Sequence, residues 1–266
     1  MAERFERIGV DVEDFRLPVK DGLRMAAELS FGSVELAAVS GELAPSNLSS
    51  SARRHVARLV AGLGLRLSAL RADIPGTRLT DPKTVQERVE RTWEIIELAA
   101  DLGVRVVTSA VGAMTHPDSG EPSAPACEAL RRIGEVADAR GVSFAIRPSY
   151  DDGERIARVL EELGCPAIGV GLDPAAMVMA GTNPLKFIER YAADVLLLHA
   201  RDATAGFPDR PGHETRLGEG DVDLVGLLAV LEAAEYAGPY VIRRSETPTP
   251  VQDIVAAGKL LRQQRM

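Results

Sequence analysis

The sequence has little that would indicate redox, zinc or membrane function. Its 266 residues include only two cysteines, Cys127 and Cys165, which form no CxxC motif or Cys/His cluster that would bind structural zinc. No stretch approaches the roughly 18 apolar residues of a membrane span. The first ten residues contain no basic segment followed by a long apolar stretch, as a leader peptide would. We therefore expect reduced cysteines, no membrane contact and a cytoplasmic location.

The chain also has no excess of positive charge, because its 31 lysines and arginines are outnumbered by 39 acidic residues. The formal net charge is −8 and the pI is about 5.2, whereas surfaces that bind nucleic acid need clustered lysine and arginine. A nucleic-acid partner is therefore disfavoured. A serine-centred elbow, a P-loop, a GxGxxG motif and an HExxH motif are all missing, so no motif of this kind supports an alternative chemistry.

What the sequence does contain is a regular series of short apolar runs, separated by amphipathic stretches. The eight runs span residues 7–12, 33–36, 65–70, 104–110, 142–148, 167–173, 195–201 and 240–244. Strands buried on both faces have near-continuous apolar sequences, which predicts parallel pairing with helical crossovers. Eight such units predict an α/β fold, a single (β/α)8 TIM barrel domain that covers residues 1–266.

The amphipathic stretch 82–103 is the clearest helix, because its apolar residues recur every three or four positions. Asp81 and Pro82 have the residue types of an N-cap and a first helical position, and Gly103 follows the end. The glycines that precede the next strands in the same way are Gly141, Gly164 and Gly238. We predict a helix that begins at Asp81–Pro82 and ends before Gly103.

Two connections differ from the short ones elsewhere. Residues 148–153 follow the fifth predicted strand, and residues 202–221, rich in glycine and proline, follow the seventh. A long loop in a compact domain is often functional, so the second is either a lid over the site or a tolerated surface insertion. Within it we expect Asp202 to be an internal tether of the loop.

Four polar residues mark the ends of the last four predicted strands: Arg147, Asp173, His199 and Arg243. In a closed barrel these strand ends open onto one face, where active sites of this architecture lie. One interpretation is a barrel mouth neutralised by mutual ion pairs. The other is a receptor for a phosphate or carboxylate, with His199 as acid or base and Asp173 as its orienting partner or as a base itself.

Longer motifs carry a family resemblance. The stretches GVSFAI, IGVGLDP, LLLHARD and LGEGDVDLVGLLAVLEAAEYAGPYVI resemble the second half of the sugar phosphate isomerase/epimerase family, which has a xylose isomerase-like barrel. In the first half, FGSVEL, which contains Glu35, and LAADLGVRVV resemble the family's second strand and the helix before its fourth strand. The resemblance implies a TIM barrel, often found as a homodimer.

The same resemblance implies a divalent metal such as Mn²⁺ or Mg²⁺, held by Glu, Asp, His and Glu at the fifth to eighth strands. Asp173 and His199 match two of these positions, but Arg147 and Arg243 occupy the two glutamate positions. Ala176 stands where the family often has a further histidine. Replacing two anions by two cations changes the local charge by about four units, so we expect the metal and the metal-dependent mechanism to be lost.

Three hypotheses for function follow. The first is an isomerase-like or lyase-like enzyme without a metal, which binds a sugar-derived acid or phosphate at Arg147 and Arg243 and transfers protons through His199 and Asp173. The further candidates for substrate binding are Glu35, Arg71 and Arg201. The second is a non-catalytic barrel that binds a small anion or a partner protein. The third is a DNA-repair endonuclease on the same barrel, which the acidic charge and the four histidines disfavour.

Overall fold

The computed structural model describes residues 7–148, 153–207 and 210–264. Eight parallel strands close into a barrel, which confirms the predicted TIM barrel. The barrel strands are β1 (Ile8–Asp11), β2 (Ser33–Ala37), β3 (Arg66–Arg71), β4 (Val106–Ala110), β5 (Ser143–Arg147), β6 (Ile168–Leu172), β7 (Val195–Ala200) and β10 (Tyr240–Ile242), and two further strands, Asp202–Thr204 (β8) and His213–Thr215 (β9), lie outside the barrel. Around the barrel the order is β1-β10-β7-β6-β5-β4-β3-β2. Each barrel strand lies within one residue of, or inside, an apolar run identified in the sequence.

The helices surround the barrel and lie between successive strands. They are α1 (Val19–Glu28), α2 (Ser50–Gly62), α3 (Val85–Leu102), α4 (Ala124–Ala139), α5 (Gly153–Leu163), α6 (Pro174–Met179), α7 (Pro184–Tyr191), α8 (Leu224–Ala233) and α9 (Pro250–Gln263). Short 3₁₀ turns cover Val12–Phe15, Gly41–Leu43, Pro45–Asn47 and Ala192–Asp194. Amphipathic stretches therefore form the outer layer, as their periodicity predicts.

One helix boundary differs from the prediction. Helix α3 begins at Val85, with Thr84 rather than Asp81 as its N-cap. The Asp81 carboxylate accepts a hydrogen bond from the N–H of Lys83 at 3.0 Å, so it stabilises a turn that precedes the helix. The end is as predicted, because Gly103 adopts a φ of 72°, a left-handed conformation that glycine adopts without strain.

The interior of the barrel has an apolar layer below a polar one. Side chains two residues apart on a strand point to the same face. Three strands therefore carry a lower apolar residue and an upper polar one on the same face: Ala69 and Arg71, Leu197 and His199, and Val241 and Arg243. Ala69, Leu197 and Val241 form a separate buried cluster, distinct from the core between barrel and helices.

Gly171 makes room for an arginine inside the barrel. An added Cβ at this position would lie 2.9 Å from Cγ of Arg147, closer than side-chain carbons approach one another. The absence of a side chain on β6 thus lets the longer side chain from β5 cross the barrel mouth. This explains how a narrow barrel interior contains a guanidinium group.

The connection after β7 is more ordered than the predicted long loop. Residues Asp202–Thr204 (β8) and His213–Thr215 (β9) form an antiparallel ribbon. Asp202 is a tether, as predicted: its carboxylate accepts hydrogen bonds from the N–H groups of Gly218 and Gly220 at 2.9 and 3.0 Å. Of the other long connection, residues 149–152 lie outside the described part of the chain.

The cysteines and the helices can be compared with the expectations drawn from the composition. Cys127 is buried and Cys165 is half-buried, and neither is in a disulfide. Among the helices of the described residues, none combines the length and the apolar character that crossing a membrane would require. The termini at 1–6 and 265–266 lie outside the described residues, so the single-domain prediction for 1–266 stays a prediction there.

Candidate functional site

The four polar residues from the sequence meet at the carboxyl end of the barrel. Arg147 is the last residue of β5, Asp173 follows β6, His199 lies in β7 and Arg243 follows β10. All four side chains are at least nine-tenths buried. The predicted proximity is therefore correct, but their individual partners differ from those expected.

His199 is paired with Glu35 rather than with Asp173. Nε2 of His199 lies 2.8 Å from a carboxylate oxygen of Glu35, and both side chains have 0% exposure. The second Glu35 oxygen accepts a hydrogen bond from the hydroxyl of Thr108 at 2.6 Å. The residue that orients the imidazole is thus a glutamate from β2, itself held by a threonine from β4.

The pair is an ionised glutamate beside a neutral histidine. Burial alone would raise the pKa of Glu35, but its hydrogen bond and electrostatic interaction with His199, with Arg243 and Arg71 nearby, lower that pKa to about 2. Burial, together with the positive charges of Arg147 and Arg243, lowers the pKa of His199 below 6.5 although Glu35 opposes this. The ionised carboxylate is an acceptor only, so Nε2 of His199 carries the proton.

The other imidazole nitrogen of His199 is therefore a lone-pair acceptor. Nδ1 is buried and has no hydrogen-bond partner among the described residues. A buried polar atom without a partner costs free energy and requires an explanation. If the barrel mouth is a binding site, Nδ1 of His199 is the nitrogen that can accept a proton from a ligand.

Arg147 is engaged by carboxylates on two sides. One Nη donates a short hydrogen bond to Asp73, which follows β3, and the other lies 3.8 Å from Asp173. Asp73 also accepts a hydrogen bond from the N–H of Ala110 at 2.8 Å. Burial opposes ionisation of Asp73, but Arg147 and Arg71 hold its pKa well below its usual range. This arginine is locked at the barrel mouth.

Asp173 is occupied in a similar way. One of its oxygens caps α6 by accepting the N–H of Ala176 at 3.0 Å, and the other accepts Nη1 of Arg201 at 2.8 Å. Although burial opposes it, Arg201 lowers the pKa of Asp173 well below the usual value. Arg201 also donates to Glu214 in the β8–β9 ribbon at 2.9 Å. Asp173 therefore holds the ribbon on the barrel and does not orient His199.

Arg243 lies between two acidic residues from the start of the chain. Its Nε is 3.3 Å from Asp11 and 3.6 Å from Asp14. Asp11 is the hydrogen-bonded partner of Arg71, whose Nε approaches it to 2.8 Å. Burial, with the negative charge of Asp11, raises the pKa of Asp14 to about 6 although Arg243 opposes this. The charge beside Arg243 thus changes near neutral pH.

The guanidinium of Arg243 takes part in these ion pairs but in no side-chain hydrogen bond with a described residue. None of its nitrogens donates a side-chain hydrogen bond to a described residue. Nε is among the buried atoms without a partner, whereas the two Nη atoms are not, so they reach solvent. Arg243 therefore has two free donors at the barrel mouth, which is the chemistry that binds a carboxylate or phosphate.

The remaining predicted binding residues are all engaged. Arg71 contacts Asp11, Glu13 and Asp73, and Arg201 contacts Asp173 and Glu214. Sequence reasoning missed the acidic partners, which are Asp11, Asp14, Asp73 and Glu214. Asp11 is the last residue of β1 and lies one position before the end of the first apolar run, so a search for acidic residues near strand ends would have found it.

These donors do not fit the divalent cation that the resemblance implies. Two of the four positions hold guanidinium groups, Asp173 is bound by Arg201, and His199 is bound by Glu35. Within residues 7–148, 153–207 and 210–264, no group of three or more His, Cys, Asp and Glu side chains is arranged to hold a metal ion. Hard cations need several free oxygen ligands, which this arrangement does not offer.

Comparison with known proteins places the fold. A family model described as a xylose isomerase-like TIM barrel matches residues 23–264. The structure of a xylose isomerase domain protein from Planctomyces limnophilus superposes with a TM-score of 0.84 at 22% identity, covering 96% of each chain. A D-tagatose 3-epimerase-like protein superposes with a TM-score of 0.79 at 19% identity, covering 97% of this chain and 96% of the other.

A third similar structure has a different printed activity. It is the probable 3-DHS dehydratase AsbF from Bacillus anthracis, with a TM-score of 0.77 at 15% identity, covering 97% of this chain and all of the other. No curated protein sequence matches the chain. At these identities the similarity to the solved structures is one of fold.

Proposed function

Because the chain belongs to the xylose isomerase-like TIM-barrel family, we propose that it binds a sugar-derived acid or phosphate and moves a proton on it without a metal. The observation that carries this proposal is the buried His199, whose Nε2 is held by Glu35 while Nδ1 has no partner. A neutral imidazole held in one tautomer can accept a proton at its other nitrogen and so can act as a general base.

The proton transfer uses His199 and Glu35 together. Nδ1 of His199 takes a proton from a carbon next to the carbonyl or acid group of the ligand, and the positive charge that forms is stabilised by the ionised Glu35. Thr108 fixes the far oxygen of Glu35 and so fixes the imidazole plane. This is the division of roles that a base and its orienting carboxylate have in other enzymes.

Arg243 anchors the anionic group and stabilises the charge that develops. Its two Nη atoms are free, and a guanidinium in a partly dehydrated site binds an oxyanion more strongly than it would in water. Arg147, which hydrogen-bonds Asp73, adds positive charge at the mouth while it holds the wall of the site. Arg71 and Arg201 hold Asp11 and Asp173 in place in the same way.

Many isomerase, epimerase and lyase reactions begin with removal of a proton from a carbon next to a carbonyl or acid group. Two of the similar structures carry printed names of this kind, a 3-epimerase-like protein and a probable dehydratase. We propose the same general chemistry for this chain. The guanidinium groups of Arg147 and Arg243 take the electrostatic role of a cation, and the divalent metal is lost.

A second candidate function is a barrel that binds a small anion without turnover. It is favoured by the complete burial of His199 and Glu35, which have 0% exposure. A ligand at Arg243 reaches His199 only if the mouth residues move. Binding and turnover therefore have to be measured separately.

The test is exchange of ligand protons with D₂O, followed by NMR over a panel of sugar acids and sugar phosphates. We expect exchange at the carbon next to the acid or carbonyl group. The His199→Gln substitution should lower its rate by about 100-fold or more, the size expected for loss of a general base, while binding persists. His55→Gln, at an exposed position on α2, is the matched control and should leave the rate unchanged.

Removal of metal gives a second readout. Treatment with EDTA and addition of Mn²⁺ should change neither the exchange rate nor the unfolding midpoint. Tight stoichiometric Mn²⁺ binding would contradict the metal-free mechanism. Binding of a sugar acid by the wild-type protein without any exchange would support the second candidate function instead.

A further inference from the structure

A separate cavity opens at the amino end of the barrel, opposite the mouth, and is called the floor cavity below. It has a volume of about 390 Å³ and lies between the starts of β3 and β4 and the starts of β7 and β10. These two pairs of strands face each other across the barrel, because β5 and β6 separate them on one side and β1 and β2 on the other. The volume is within the range of small-molecule sites, about 300–1,000 Å³.

Two irregularities in the strand pairing border the floor cavity. The pairing of β3 with β2 skips Ser68, and the pairing of β7 with β6 skips Leu196. Both skipped residues line the cavity. An extra residue in a strand re-aims the side chains near it, and such bulges occur at barrel rims and next to sites. Gly169 leaves room for Leu196, because an added Cβ would lie 2.7 Å from Cδ1 of Leu196. Two opposite walls of the barrel thus bring their extra residues to one cavity.

The inner wall of the floor cavity is apolar. Val106 lines the cavity and packs against the buried cluster of Ala69, Leu197 and Val241, each of which is 0% exposed. This cluster lies one layer below the polar residues of the mouth. The other apolar side chains of the lining are Leu67, Leu196, Ala237 and Pro239. A ligand in the floor cavity is therefore separated from His199 by a layer of buried apolar side chains.

Two arginines of the lining have no partner. Arg66 begins β3 and Arg105 directly precedes β4, and both are exposed. Neither side chain makes a hydrogen bond or an ion pair with a described residue, and none of the described residues that line the cavity is acidic. Arg7 adds positive charge at the edge, where its Nε donates to the carbonyl oxygen of Gly238 at 3.0 Å. A free guanidinium presents a planar pair of donors that suits a carboxylate.

We propose that the floor cavity binds a small monocarboxylate with an apolar body, such as an aromatic or branched aliphatic acid. Arg66 and Arg105 bind the carboxylate, and the apolar side chains of the lining contact the body of the ligand. The uncompensated positive charge selects an anion. The apolar wall disfavours a sugar or inorganic phosphate, whose polar groups would lose water there without gaining hydrogen bonds. The site is independent of the function proposed for the mouth.

Three probes test this site: benzoate, acetate and benzyl alcohol. Acetate lacks the apolar body of benzoate, and benzyl alcohol lacks its charge. Titration calorimetry should give benzoate a Kd below about 1 mM, with the other two probes at least about tenfold weaker. In methyl NMR spectra of the full-length protein, benzoate should shift the signals of Leu196 and Val106, because both residues line the cavity.

Substitution of the two arginines tests the carboxylate contacts. Arg66→Ala and Arg105→Ala should each weaken benzoate binding by about tenfold, the loss of one charge-assisted interaction. Arg58→Ala is the matched control, because Arg58 is an exposed arginine on α2 without a side-chain partner among the described residues. It should leave the affinity unchanged. Circular dichroism checks that all three variants are folded.

The outcomes distinguish the floor cavity from the mouth. Arg243→Gln should leave the affinity for benzoate within about twofold of the wild type. Loss of benzoate binding in Arg243→Gln alone would place the carboxylate at the mouth and overturn the floor site. Equal affinity in Arg66→Ala, Arg105→Ala and the wild type, or methyl signals that do not move, would also overturn it. Benzyl alcohol that binds as tightly as benzoate would contradict selection of an anion. None of these results affects the proton-exchange test at His199.

Discussion

The barrel mouth contains one arginine at the end of β5 and another just after β10, and the two arginines differ in their hydrogen bonding. At the β5 end, Arg147 donates to Asp73 and approaches Asp173. At the β10 end, Arg243 lies near Asp11 and Asp14 without donating a side-chain hydrogen bond within the described residues. The same residue type at equivalent barrel positions is structural at one end and available to a ligand at the other.

The difference is one of geometry rather than of the number of donors on each carboxylate. Asp73 accepts a hydrogen bond from Arg147 although it also accepts from Arg71 and from the N–H of Ala110. Asp11 accepts a hydrogen bond from Arg71 and lies 3.3 Å from Nε of Arg243 without a hydrogen bond between them. A buried cation is stabilised only by a partner with good geometry, and unpaired burial is costly. We infer that the cost at Arg243 is retained because its free donors are needed by a ligand.

The largest expected effect is on the free energy of unfolding, which should fall more when Arg147 is replaced than when Arg243 is replaced. Arg147→Met should lower the free energy of unfolding by about 3 kcal/mol, because it breaks a buried ion pair and leaves Asp73 with a weaker partner. Arg243→Met should change it by about 1 kcal/mol or less, since no hydrogen bond is lost. Urea denaturation at pH 7.5 measures both. Equal losses would show that the two arginines are equally structural.

A second prediction concerns the pH dependence at the β10 end. The pKa of Asp14 is raised from 3.8 to about 6 in the folded protein, so its contribution to stability is complete below pH 3.8 and is lost as the pH rises through 6. The Asp14→Asn variant lacks this titration and so does not lose stability as the pH rises. Its free energy of unfolding relative to that of the wild type should therefore increase by about 2 kcal/mol from pH 4.5 to pH 7.5.

Urea titrations at the two pH values check the Asp14 prediction, and Asp21→Asn, at an exposed position on α1, is the control. His199 acts in the opposite direction, because its pKa is lowered below 6.5. The contribution of His199 to the stability of the folded protein is complete above pH 6.5 and is lost as the pH falls. A relative stability of Asp14→Asn that does not vary with pH would mean that Asp14 is ionised throughout.

The smallest effect is on ligand affinity. Arg243→Gln should weaken binding of a sugar acid by about tenfold, or about 1.4 kcal/mol, because two charge-assisted hydrogen bonds are replaced by weaker ones. Arg147→Gln should weaken it by less than threefold. Titration calorimetry gives both values, with the surface variant Arg140→Gln as a control for net charge. A larger loss in Arg147→Gln would place the anion at the β5 end.

Much of the fold follows from the sequence because the signals are local. Each barrel strand is an apolar run bounded by turn residues, and Gly103 ends α3 as its position predicts. The proximity of the four strand-end residues also follows, since closure of a parallel barrel brings all carboxyl ends to one face. These features depend only on the periodicity and the order of elements.

The pairing within the site does not follow from the sequence. His199 and Glu35 are separated by 164 positions, and nothing local distinguishes Glu35 from Asp173 as the partner of an imidazole. The choice is set by barrel geometry, because Glu35 on β2 reaches Nε2 of His199 on β7, while the two oxygens of Asp173 accept hydrogen bonds from the N–H of Ala176 and from Arg201. The ribbon was missed because its strands are only three residues long.

The missing side chain at Gly171 makes the conformation of one strand's residue depend on the next strand. Arg147 keeps its present conformation only while residue 171 has no Cβ, because an added Cβ would lie 2.9 Å from Cγ of Arg147. A side chain at 171 would therefore force the Arg147 side chain to shift from its path across the barrel mouth. The position of this guanidinium thus depends on a neighbouring strand that contributes no side-chain atom to it.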